Sequence, residues 1–400
     1  MSNVDLNFSK VSQEEWKQLV QAELKGRDFN ETLVWQSLEG LNVKPYFSKE
    51  DINYADLKPL NKYAKTSMIA KYHDLFFNDV DGFIIDKEVN QEEFYNKVFF
   101  LTDENFKVNA KSDNYLLFDL FTEAEKKANY NPDIEKAKKI LSNTVYKKSL
   151  LIDVSLHQNA GANIFQQLGI VLAKANEYVN ILGKSCLDKI YFKFSIGYNY
   201  FFEIAKLRAF RILWSNFISQ YQYDAEPYIL CESSLRNKST LDSENNLIRS
   251  TFEGAVAFIG NADALFLHEY SGWNTDNSIM HETAYKQQLV LKEESILDKF
   301  SDAMKGSYYV EFITNFLVKQ AWEFFLEIEK EGGYLRSLEN GFTQKRIITQ
   351  AQKEQEAFDT GKLILIGVNK FPKEAITKEP KKVNYNPKLI QEIRLAESLE

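Results

Sequence analysis

The chain has 400 residues, 44% of them apolar, with a formal net charge of −8 and a pI near 5.4. That balance offers no dominant basic face for nucleic acid or an anionic membrane, and no apolar run approaches the length of a membrane span. The opening "MSNVDLNFSK" lacks a charged-then-apolar leader pattern, and Cys186 and Cys231 stand apart with no C-x-x-C or metal-ligand spacing, which predicts a cytoplasmic protein with reduced thiols.

The first predicted element is a short amphipathic helix in "SQEEWKQLVQAELKG". Ser12 and Glu15 have capping-box spacing, Trp16, Leu19, Val20 and Leu24 share a stripe, and Gly26 ends it. Residues 28 to about 80 are rich in Tyr, Asn, Asp and Pro without sustained periodicity, as an extended arm would be. Its aromatics, Trp16, Trp35, Tyr46, Phe47 and Tyr54, cannot form a core alone, so the arm is expected to lie on a surface and to hold a partner.

Strand-like and helix-like runs then alternate. Strands are expected at 82–86, 115–119, 150–155, 190–196, 228–232, 262–268 and 362–368, where β-branched or aromatic residues cluster. Helices are expected near 91–101, 131–142, 161–182, 199–220, 243–260, 278–299, 310–330 and 344–358. An eighth strand falls loosely at 306–310 or 333–338. Repeated β-then-α units with doubly buried strands mean parallel pairing, and about eight at this length favour an α/β fold closed into a (β/α)8 TIM-type barrel. The barrel is assigned to 81–369, between an N-terminal helix and extended arm (1–80) and a basic C-terminal linker or tail (370–400) whose residues 387–399 form a last short helix.

In "YFKFSIGYNYFFEIAKLRAFRILW" (191–214) a strand stops at Gly197 and a helix follows that is apolar on more than one side. Such a helix is packed on its own sheet and on something further out, here taken to be a second chain. Arg208, between Ile204 and Ile212 on the wheel, must snorkel or meet a carboxylate.

Barrel enzymes place their groups at the C-terminal ends of strands, which singles out Asp86, Asp119, Asp153, Glu232 and His268. Asp153 and His157 could act as base and orienter, with His268 as a further acid–base group, although strand-end carboxylates also cap helices and bind loop amides. His281 and Glu282 lack a second histidine in zinc spacing, and no P-loop, GxGxxG or GxSxG occurs.

Six stretches, "EGLNVKPYF" (39–47), "NAGAN" (159–163), "FSIGYNYFFEIAKLRAFRILW" (194–214), "LVLKEES" (289–295), "KGSYYVEFIT" (305–314) and "EIEKEGG" (327–333), resemble the methylmalonyl-CoA mutase family, in the same order and over nearly all of residues 10–369. The resemblance implies a barrel holding acyl-CoA along its axis. In active subunits it implies a further C-terminal domain binding adenosylcobalamin, and conversion of methylmalonyl-CoA and succinyl-CoA into each other. Some members pair an active chain with a degenerate one.

This chain departs from the active pattern. The family's Tyr-His pair before the "AGA" turn falls on Ser155 and Leu156, with His157 one place late, and its second active-site histidine falls on Phe266, with His268 two places on. Its two arginines in "ARIARNTQ" become Glu282 and Tyr285, which inverts charge toward an anionic CoA ester. Neither "RGPY" nor "WTIRQYAG" is found in 55–80, and no histidine lies in D-x-H-x-x-G. The resemblance therefore implies no catalytic, cofactor-binding or metal-binding residue here and no C-terminal cobalamin-binding domain. It implies a scaffold in a heterodimer with a catalytic large subunit that carries adenosylcobalamin. The alternatives are an independent barrel enzyme or an acyl-CoA-binding protein using Asp153, His157 and His268. As a scaffold, the barrel interior is expected to be filled by side chains, among them Phe83, Phe118, Phe192, Phe194 and Phe266.

Overall fold

A parallel strand needs cover on both faces, and here ring closure supplies the inner cover and helices the outer one. The computed structural model describes residues 11–52, 65–72, 79–89, 94, 96–109, 111–271, 278–373 and 381–400. The ring is built from β1 (Ser67–Lys71), β2 (Gly82–Ile85), β3 (Val98–Leu101), β4 (Asp113–Leu116), β5 (Tyr146–Lys148 and Leu150–Asp153), β6 (Ile190–Ile196), β7 (Ile229–Ser233) and β8 (Ala264–Phe266). Each pairs in parallel with its neighbour in chain order, and β8 returns to β1. Closure happens in β5: its first part pairs with β4, its second with β6, and the break falls at Ser149. Leu151 N still donates to Phe118 O just beyond β4 (2.8 Å), so among the described residues the ring has eight staves and no free edge.

Two helices, α1 (Gln13–Glu23) and α2 (Phe29–Leu33), precede the ring with a small antiparallel pair, Trp35–Gln36 and Asn42–Val43. The three connections from β1 to β4 carry no helix among the described residues. From β4 onward come α3 (Thr122–Lys127), α4 (Ile134–Ser142), α5 (Ser155–Asn159), α6 (Ile164–Leu182), α7 (Tyr200–Ser219), α8 (Glu244–Ile259), α9 (Ser278–Leu289) ending in a π-helical turn, α10 (Tyr308–Lys330), α11 (Tyr334–Glu339) and α12 (Phe342–Asp359).

The unusual helix of the 191–214 segment is α7. Its inner side packs Phe210 and Trp214 on Phe192 of β6, and its outer side is covered by α10 of the same chain rather than by a second chain. Arg208 meets two buried carboxylates there, Asp302 and Glu311, the latter at 2.7 Å. Close approach of α10 to α6 requires Gly169, where a Cβ would lie 2.8 Å from Phe324 Cδ1 and 3.0 Å from Ala321 O.

Several expected elements move. Ser67–Lys71, placed in the arm, is the first stave, and Val98–Leu101, read as the end of a helix, is the third. The run 362–368 is no stave: eight strands already close the ring, and positive φ at Gly361 and Gly367 folds the segment into turns that bury Leu365 and Val368 against Phe358 and Leu395. Both guesses for an eighth strand fall at helix starts, in α10 and α11. The tail helix is only a 3-10 turn, Leu395–Ser398. The described arm lies on its own barrel: Trp16 packs on Phe29 and Tyr46, Phe47 on Tyr309 and Phe312, and Trp35 on Phe202. Tyr54 lies outside the described residues.

Inside the ring sit Ile69, Phe100, Tyr115, Leu151, Tyr191, Leu230 and Ala264, with Ile84, Tyr228 and Phe266 against them. Tyr115 stacks on Phe100 (5.0 Å), meets Tyr228 at a tilt (4.6 Å) and Tyr191 edge-on (5.6 Å), so rings from three staves and from the residue just before β7 join across the axis. Tyr191 OH donates to Leu116 O at 2.8 Å, which satisfies the buried hydroxyl. The filling residues differ from those expected. Phe83, Phe192 and Phe194 point outward into the layer beneath the helices, with Phe118 beside it, and only Phe266 of the five faces inward. The phase of the strand decides this, since alternate residues leave on opposite faces.

Candidate functional site

At the C-terminal ends of β5, β6 and β7 the inward positions turn from apolar or aromatic (Leu151, Tyr191 and Leu230) to charged. Lys193 lies one pleat above Tyr191, and its Nζ stands 3.1 Å from Asp153 Oδ2 and 3.1 Å from Glu232 Oε2. Ser195 Oγ donates to Glu232 Oε1 (3.1 Å), His268 Nε2 is 3.4 Å from Glu232 Oε2, and Ser155 Oγ donates to Asp153 Oδ1 (2.5 Å). Burial, the largest single influence, would push both carboxyls up, but Lys193 together with Ser155 and Lys174 at Asp153, and with His268 at Glu232, outweighs it and holds both below their ordinary values. Lys193 is raised in turn, burial notwithstanding, by the two carboxylates. Three members of the cluster are thus locked in their charged forms. A general acid or base works best with a pKa near the operating pH, and these groups are driven away from it.

His157 is not part of this cluster. It faces the outer layer, its Nε2 2.8 Å from Tyr334 OH and 3.5 Å from Glu125 Oε1, next to a fully buried Lys174 that donates to Asp119 (2.6 Å) and Glu125 (2.7 Å). Burial, then Lys174, holds the imidazole well below its ordinary value and therefore neutral. The expected pairing of Asp153 with His157 is not formed: four residues apart in sequence, they leave on opposite sides of the β5 wall. Asp153 and His268 do meet, through Lys193 and Glu232.

The positions that the family resemblance sets against its active groups are placed as follows. Leu156 is buried in the outer core, Ser155 starts α5, and Phe266 lies edge-on to the His268 ring at 5.0 Å. Glu282 is paired on the surface with Lys286 (2.7 Å), and Tyr285 OH donates to Asp79 Oδ2 (3.3 Å). Asp86 pairs with Lys71 (3.1 Å) at the ends of β1 and β2. Sequence reasoning missed Lys193. Its signal was present: a lone cation between Phe192 and Phe194 in a strand buried on both faces.

Above this mouth runs the C-terminal segment. Ile390 N donates to Glu125 O (2.8 Å), Ile393 N to Asn159 O (3.0 Å) and Leu395 N to Arg236 O (2.9 Å), and Arg236 returns a bond to Ile393 O (2.5 Å). Those acceptors follow β4, β5 and β7, so the segment straps together loops on the face where barrel enzymes do their chemistry. Beside it a cavity of about 650 Å³ opens between residues 30–39, the loops after β5 and β6, and α12. Glu39 forms one wall, accepting from Ile164 N at the start of α6 (3.0 Å), and burial pushes its carboxyl up to about 8.

A sequence profile described as methylmalonyl-CoA mutase matches residues 138–398. The chain belongs to the methylmalonyl-CoA mutase family. Among curated relatives, a methylmalonyl-CoA mutase small subunit from Porphyromonas gingivalis is 29% identical over 91% of this chain and 70% of its own length. A methylmalonyl-CoA mutase from Cereibacter sphaeroides is 34% identical, and a methylmalonyl-CoA mutase large subunit from Porphyromonas gingivalis 30% identical, each over 54% of this chain. The match spans only 32% of those two relatives, about a third of their length.

The family implies adenosylcobalamin, and the described histidines do not suit it. His157 faces Tyr334, His268 faces Glu232 and His281 is paired with Glu269, so none of the three presents a free imidazole to a corrin.

Proposed function

We propose that this chain is the small subunit of a two-subunit methylmalonyl-CoA mutase: a barrel that performs no chemistry itself and supports a larger partner carrying adenosylcobalamin. The observation that carries the reading is the filled axis. Where the family resemblance calls for an acyl-CoA channel, Phe100, Tyr115, Tyr191 and Tyr228 pack across the ring, and Lys193 with its two carboxylates sits above them. The strap over the mouth and the Leu156 and Phe266 replacements support it further. The similarity to a small subunit over 91% of the chain points the same way. No described helix is long and apolar enough to cross a membrane, which suits a cytoplasmic complex.

The test is turnover. The purified chain, given adenosylcobalamin and methylmalonyl-CoA, is expected to form no succinyl-CoA, whereas the co-purified pair does. Conversion by the chain alone would overturn the reading. Saturable binding of CoA to the isolated chain would favour the acyl-CoA-binding alternative instead.

A further inference from the structure

We infer that the cavity of about 650 Å³ is a binding site for a small organic cation, an ammonium whose charged head meets Glu39 and whose apolar body lies against Leu38, Ile164 and Leu363. The site lies off the barrel axis and does not depend on the two-subunit reading. Its volume is that of a small-molecule site, and its wall is mainly apolar with a few converging polar groups.

The charges of the wall select the ligand. Four carboxylates line it, Glu31, Glu39, Glu203 and Glu354, against two cations, Arg236 and Lys362. Glu31 and Lys362 are exposed to solvent. Glu354 accepts from Arg236 Nε (2.8 Å), and Glu203 is paired with Lys206. Glu39 accepts from Ile164 N but forms no ion pair among the described residues. Lys206 acts on it only from a distance, because its Nζ is engaged by Glu203, Gln167 Oε1 (3.1 Å) and Ser195 O (2.6 Å). A carboxyl set in a wall without a counter-charge is an acceptor for an ammonium that brings one.

Two aromatic side chains add to this. Trp35 and Tyr198 line the same cavity with 48% and 46% of their surface open, and an aromatic face attracts an ammonium. The Tyr198 hydroxyl stands in the field of Glu354, Glu39, Arg236 and Glu203, which sets the ring beside those carboxylates. A metal ion is a poorer occupant, because among the described residues no three carboxylates, histidines or cysteines are placed to share one. An anion would face the excess of carboxylates.

Burial pushes Glu39 up to about 8, with Glu203 adding to it and the Ile164 and Phe165 amides and Lys206 opposing it, so at pH 7 the free chain holds this carboxyl mostly protonated. A bound cation favours the ionised form, so binding expels the proton.

The experiment titrates the full chain by isothermal calorimetry with the 2-phenylethylammonium ion, and with phenylethanol and phenylpropionate as its neutral and anionic counterparts. The cation is expected to bind at least about 10-fold tighter than either. Its affinity should rise roughly 8-fold from pH 6.5 to pH 7.5, and titrations in Tris and in phosphate should show about 0.9 proton released per cation at pH 7. Glu39→Gln should weaken the cation at least about 10-fold, abolish the proton release and leave phenylethanol within about 2-fold. Tyr198→Leu, with an unchanged circular dichroism spectrum, should weaken the cation about 3-fold. If Glu39→Gln does not fold, the proton release and pH dependence of the wild type decide alone. No saturable binding of the cation up to about 10 mM, equal affinity for cation and alcohol, or binding without proton release overturns the inference.

Discussion

Lys193 shows how one side chain can close a site. Its ammonium compensates two carboxylates that face each other across the mouth, so Lys193→Met should cost about 2–3 kcal/mol at pH 7, below the full value for a buried pair because the cluster is partly wet. The sign with pH follows. Without the cation, burial and mutual repulsion raise Asp153 and Glu232, both become protonated on mild acidification, and the deficit should shrink between pH 7 and pH 4.5. Urea unfolding at both pH values checks this, and an unchanged deficit would count against the pairing. Glu39 behaves oppositely to a stabilising carboxylate. Its folded value near 8 lies above the unfolded 4.5, so its contribution to stability is greatest below pH 4.5 and is lost as pH rises through 8. Glu39→Gln keeps an acceptor for Ile164 N and should be more favourable relative to wild type at pH 8.5 than at pH 5. Thermal midpoints across that range read the difference.

At the scale of elements, what was legible in the sequence depended on breakers and phase. Ile190–Ile196 and Ile229–Ser233 were readable because β-branched and aromatic runs end at Gly197 or in polar turns. Ser67–Lys71 was not, because Ser67 and Ala70 give it little strand character and its neighbours are polar; only ring closure makes it a stave. In Val98–Leu101 four apolar residues in a row fit helix and strand equally. Sequence could name Glu232 and His268 as strand-end groups, but the direction of His157 depended on where β5 ends and α5 begins. The tail was underestimated because its anchoring is mostly main-chain bonding. Deleting residues 386–400 removes Ile390, Leu395 and Ala396 from buried positions and strips their partners from Asn159 and Arg236. After the ordering entropy of the segment is returned, the net loss should be about 2–4 kcal/mol. A urea midpoint unmoved by the deletion would mean the strap contributes nothing to stability.

The whole molecule is a barrel that must be filled by something. A ring of eight staves leaves an interior just wide enough for side chains, and a chain holding acyl-CoA there has to keep those side chains small. This chain places Tyr191 and Tyr115 on the axis, in contact with each other and with Phe100 and Tyr228, so the contacts that stabilise the ring are also the ones that fill its axis. Tyr191→Ala should therefore cost about 3–5 kcal/mol, from lost packing, an unrelaxed cavity and the hydrogen bond to Leu116 O. Because Tyr191 is fully buried, the affinity for the proposed larger subunit should stay unchanged once the variant is folded. Denaturant unfolding and a binding isotherm on the same variant separate the two effects. A cost below about 1 kcal/mol would mean that the interior is loosely packed and has room for a ligand. That outcome would move the balance from a scaffold toward a binder of acyl-CoA.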